Sequence, residues 1–147
     1  MEEKLLDKAA DHVYAEMEKV GGDPLKLPVV LQPVALLYTL QAMIDNGGFR
    51  YIFESDFPFS PPYSAFSDAY RKIGAMDAAD RLDQTVALFP FANPETNEQG
   101  RNEYMESLDE SDEFFQLGDA VCGDERVWQL MEEYVRNQPK AFDMIAK

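Results

Sequence analysis

The chain has 147 residues, 46% of them hydrophobic and 12% aromatic, which is enough apolar material for one domain of ordinary size with its own core. Twenty-eight Asp and Glu against thirteen Lys and Arg leave a net charge of −15, which repels phosphate and anionic lipid and excludes direct binding to nucleic acid or an anionic membrane. Cys122 is the only cysteine, so no intrachain disulfide exists and no oxidising compartment is implied.

The first helix is marked by Leu5, Leu6, Ala9, Ala10, Val13, Tyr14, Met17 and Val20 at helical spacing, with Gly21-Gly22 as a left-handed stop. His12 falls on its polar face beside Lys8 and Glu16. Pro33 suits the first turn of a second helix, whose apolar body runs from Val34 to Ile44 and which Asn46-Gly47-Gly48 is expected to end. A short aromatic segment, Phe49 to Phe53, follows. In the Pro-rich loop beyond it, Phe57, Phe59 and Tyr63 are expected to fold onto the core.

Tyr63, Phe66, Tyr70 and Ile73 form the next stripe, stopped by Gly74; Asp77 is placed to cap a helix carrying Ala79, Leu82, Val86 and Phe89, closed by Pro90. Residues 91–97 read as a loop, and a helix follows through Arg101, Tyr104, Met105 and Leu108. Beyond it, Ser107 with Glu110 has capping-box spacing, and Ser111 before Asp112 and Glu113 offers a second start. Val127, Leu130, Met131 and Tyr134 define a helix after Gly123, and Pro139 opens a short terminal one. Alternating strand patterns and repeats of fixed period are absent, so the expectation is an all-α, compact single domain over 1–147, an orthogonal bundle of seven to eight helices.

The apolar runs are far shorter than the ~20 residues of a membrane span, and Met1-Glu2-Glu3 is acidic where a signal peptide is basic; a cytoplasmic protein is expected. Catalytic groups are scarce. His12 reads as a surface residue and Cys122, after Ala120 and Val121, as a small core residue, so a Cys-His pair is not supported. Four zinc ligands cannot be assembled, and Asp109-Glu110-Ser111-Asp112-Glu113-Phe114 lacks the glycine of a calcium loop. No metal, cofactor or catalytic residue is expected.

The acid is unevenly placed. Residues 95–125 hold eleven acids and one base, Arg101, which is two thirds of the net charge in about a fifth of the chain. Were residues 98–113 one helix, seven carboxylates would spread over roughly 22 Å, or one per ~3.7 Å, close to the ~3.4 Å phosphate spacing along one DNA strand.

Asn46-Gly47-Gly48-Phe49 with Phe53, then Ile73-Gly74-Ala75, Leu88-Phe89-Pro90, Arg101, Leu108-Asp109 and Tyr134, resemble in their order a bacterial family of small helical domains, the DNA-mimic proteins, over about residues 28–140. The resemblance implies an all-helical acidic fold and, for at least one member, occupation of the DNA-binding face of a transcription factor. The matching positions Asn46, Gly47, Gly48, Phe49, Phe53, Gly74 and Pro90 are scaffold by residue type. The expected function is noncatalytic binding of a basic, nucleic-acid-binding protein, by a monomer or homodimer, through Glu95, Glu98, Glu103, Glu106, Asp109, Glu110, Asp112 and Glu113. An immunity or antitoxin protein neutralising a cationic toxin, and a small-ligand or enzyme domain with a pocket around Asn46, Phe49, Tyr51 and the Pro-rich loop, are the alternatives.

Overall fold

The structure, a computed structural model, describes residues 4–142; the acidic start Met1-Glu2-Glu3 lies outside them. Eight α-helices and no strand occur among the described residues: α1 Leu5–Lys19, α2 Gln32–Glu54, α3 Tyr63–Lys72, α4 Met76–Ala87, α5 Glu98–Glu106, α6 Glu113–Asp119, α7 Glu125–Arg136 and α8 Pro139–Phe142. The chain is an all-α single domain, and none of these helices is long and apolar enough to cross a membrane.

The central element is α2, against which α1, α3, α5, α6 and α7 all pack. Its sequence explains that position, because Val34, Leu37, Leu40, Ile44, Ile52 and Phe53 are fully removed from solvent. Each such side chain contributes ~1.5–3 kcal/mol of burial. Pro33 sits in the first turn as its missing N–H allows.

Asn46-Gly47-Gly48 ends the first limb of α2 as its residue types suggest, and a second helical limb follows directly across a kink. Gly48 takes φ 67°, ψ −166°, a step essentially reserved for glycine, and the helix resumes through Phe49–Glu54 in a new direction. It resumes because Phe49, Ile52 and Phe53 have somewhere to go: Phe53 meets Phe49, Tyr63, Phe89 and Phe114 with ring centroids 5.0–6.0 Å apart. The aromatic segment expected after the stop is thus the second limb of α2.

Other local expectations shift for equally local reasons. Asp77 lies inside α4, whose N-cap is Ala75. Ser107 is the C-cap of α5, its hydroxyl donating to Tyr104 O at 2.6 Å, so the Ser107–Glu110 capping box does not form. Asp112, not Ser111, is the N-cap of α6. Phe57 and Tyr63 turn inward as expected, but Phe59 adopts φ 68° and is 60% exposed. Cys122 is exposed rather than in the core, and His12 is half-buried with its ring edge toward Phe142. Gly74, at φ 90°, stops α3 as its position suggested.

A partly buried polar knot lies just before the kink. Asp45 accepts from Trp128 Nε1 at 2.8 Å, Gly123 N at 2.7 Å and Gln41 Nε2 at 2.9 Å. Gln41 in turn donates to Val121 O and accepts from Tyr70 Oη. Burial raises the Tyr70 hydroxyl far above its ordinary value, which keeps it a proton donor in this knot.

Candidate functional site

The acid-rich stretch is built as helix, turn, helix. Asn97 starts α5 by accepting from Gly100 N at 2.9 Å, satisfying one of the helix's free amides. Arg101, four residues on, is completely buried. Its guanidinium donates to Phe53 O at 2.8 Å, Pro94 O at 2.7 Å, Ser55 O at 3.3 Å and the Asp56 carboxylate at 2.6 Å. The one base of the stretch therefore fastens α5 to the end of α2 and is hidden from the surface.

With Arg101 and Met105 turned inward, Glu103 and Glu106 of α5 are forced outward. At ~100° per residue, Glu103 and Glu106 fall roughly 180° and 120° from the middle of that buried face, while Glu98, in the first turn, lies only about 40° from it. All three are exposed. Glu98 approaches Asp56, and this carboxylate neighbour raises the Glu98 pKa. The Arg101 guanidinium, and then Glu98, hold the Asp56 carboxyl below its usual range.

The turn at residues 107–112 is held by its own acids: Asp112 Oδ2 accepts from Asp109 N at 2.7 Å, and Asp109 Oδ1 accepts from Ser111 N at 3.2 Å. Asp109 and Glu110 are exposed; Asp112 is half-buried. Glu113, also exposed, lies in the first turn of α6, where the helix dipole favours an anion. That helix is seated by Phe114, buried among Phe53, Phe89 and Tyr104, and by Gly118, where a Cβ would meet Phe49 Cγ at 2.7 Å and Phe49 N at 3.0 Å.

The continuous sixteen-residue rod considered for 98–113 is therefore absent, and its ~3.7 Å charge spacing with it. Within α5 the three acids advance ~6 Å each on average, near twice the phosphate spacing of one strand. The eight sequence-derived residues otherwise sit on consecutive pieces of surface, except that Glu95 is half-buried in the short 3₁₀ turn Pro94–Thr96. No ion pair among the described residues involves any of the eight.

The scaffold residues are placed differently. Phe49, Phe53 and the glycine kink organise the core, Asn46 and Pro90 are exposed, and Tyr51 is 43% exposed. The apolar cleft of about 190 Å³ beside the Pro-rich loop is lined by Tyr14, Met17, Leu36, Phe57 and Pro61, and does not include Asn46, Phe49 or Tyr51. Sequence reasoning did not foresee Arg101 as a buried clamp or Asp45 as the acceptor of a knot. A base alone among eleven acids was the available signal for the first; nothing local marked the second.

These features define a small acidic all-α domain whose charge-rich segment is pinned to a kinked central helix. The family model described as DMP19-like protein matches residues 25–138, and the chain belongs to that family. The match takes in the kink and the whole acidic stretch and leaves α1 outside. No curated protein and no solved structure matches the chain.

Proposed function

We propose that this is a noncatalytic binding protein that presents α5, the 107–112 turn and the first turn of α6 to a basic, nucleic-acid-binding protein, in the place where that partner holds the DNA backbone. Family membership supports the reading. The observation that carries it is that the eight carboxylates from Glu95 to Glu113 have no lysine or arginine partner among the described residues, with six of them exposed. Unpaired surface anions at fixed positions attract a cationic face at long range and exchange their counterions for it on contact.

The test is affinity capture from the source cell's lysate at low salt, followed by competition with duplex DNA. A captured DNA-binding protein that releases DNA on binding, with affinity falling steeply as salt rises, is the expected outcome. Binding that is unchanged when Glu103, Glu106, Asp109, Glu110 and Glu113 are neutralised to Gln or Asn would refute it. Exposed charges separated by more than ~8 Å are screened at physiological ionic strength, so salt independence is incompatible with this mechanism.

A further inference from the structure

We propose that the cleft between the α3–α4 turn and the start of α7 binds a small zwitterion of the α-amino acid class. The cleft has a volume of about 160 Å³ and apolar walls from Val127 and Leu130. Drug-sized ligands occupy ~300–1,000 Å³, so this space suits a small metabolite.

Four charged side chains line it: Asp77 and Arg81 from α4, Asp124 and Arg126 at the start of α7. None of the four forms an ion pair among the described residues. That separation is unexpected. Asp77 and Arg81 stand four residues apart with the acid first, the arrangement in which such pairs join across a helix surface. Asp124 instead accepts from the Arg126 backbone N–H at 3.0 Å, which ties its carboxylate to the helix start.

The arginines make the same point from the other side. Arg50, Arg71, Arg101 and Arg136 each hold a carboxylate, in a chain with more than two acids for every base. The two arginines that hold none among the described residues, Arg81 and Arg126, line the same small volume. The N-cap of α4, Ala75, supplies no side chain to the first amides of that helix, which leaves further hydrogen-bond donors at the rim of the cleft.

Opposite charges held apart around one space match a ligand that carries both. Its carboxylate is taken by the Arg81 and Arg126 guanidiniums, its ammonium by Asp77 and Asp124, and its side chain lies against Val127 and Leu130. A simple anion meets two carboxylates there and a simple cation meets two guanidiniums, so neither gains what the zwitterion gains.

The experiment is an NMR titration of the full ¹⁵N-labelled chain with a pool of the common L-amino acids. Parallel titrations use their N-acetyl derivatives, their methyl esters and sodium phosphate. Saturable shifts of the Met76, Asp77, Ala78, Arg126 and Val127 amides with the free amino acids are expected. Blocking either charged end, or introducing R81Q or R126Q with an unchanged circular dichroism spectrum, is expected to weaken binding by about tenfold or more, the loss of one charge-assisted contact. The proposal is overturned if the pool shifts nothing, if phosphate or the acetylated pool binds equally well, or if binding persists in the R81Q/R126Q double variant.

Discussion

Arg101 shows how much one side chain decides here. It donates to three backbone carbonyls and one carboxylate from a position with no solvent access. R101M leaves those carbonyls without their donor and is expected to lower unfolding stability by about 3 kcal/mol in urea titrations. R101K is expected to rescue little, because an ammonium lacks the planar fork that reaches four acceptors. A loss under about 0.5 kcal/mol for R101M, the range of an ordinary surface change, would show the clamp to be dispensable. The neighbouring acids supply a pH signature. Asp56, whose pKa is depressed, contributes stability that is complete above its unfolded value and disappears as pH falls through the folded value. Glu98, whose pKa is raised, contributes stability in acid that is lost as pH rises through its folded value. D56N is therefore expected to flatten the acid limb of the stability profile below about pH 4, and E98Q to raise the urea midpoint near pH 7. An E98Q midpoint below that of the unchanged chain at pH 7 would contradict the reading.

At the scale of elements, periodicity carried most of the fold. α1, α3, α4 and α7 lie where their apolar stripes put them, since each stripe has one core face and an ordinary stop such as Gly21-Gly22 or Gly74. What periodicity missed are places where a tertiary contact outweighs a local signal. Gly48 has the chemistry of a terminator and does break the helical run, but periodicity did not show that burial of Phe49 and Phe53 beyond it makes a second helical limb follow at once. Ser107 and Ser111 have the chemistry of caps, yet the carboxylates of Asp109 and Asp112 take over the turn. Cys122 looked apolar from its neighbours but follows α6 onto an exposed loop. G48A is expected to cost ~1–3 kcal/mol through its φ alone. G118A has a different failure, since its Cβ meets the Phe49 backbone as well as its ring; ~1–3 kcal/mol of overpacking is expected, with α6 displaced from α2. Amide exchange resolves the two: G118A loosens α6 selectively, whereas G48A loosens both limbs of α2. Uniform loosening in both variants would remove this distinction.

For the whole molecule, the total charge and its concentration were legible from residue counts, and so was the list of acids. Their outward display on α5 was not, because it depends on Arg101 and Met105 claiming the inner face. A net charge of −15 on one small domain implies self-repulsion in the folded state. Raising sodium chloride from about 0.02 to 0.2 M is expected to raise the Tm, and the gain is expected to shrink in E103Q/E106Q/D109N/E110Q. Equal gains in both proteins would place the repulsion elsewhere. The buried guanidinium bears on binding as well as on folding. By anchoring its helix through main-chain oxygens, it holds the α5 anions in one arrangement, so that under the proposed function little motional freedom would be surrendered on docking. Loosening that anchor is therefore predicted to slow neither attraction nor first contact, and to shorten the lifetime of the complex instead.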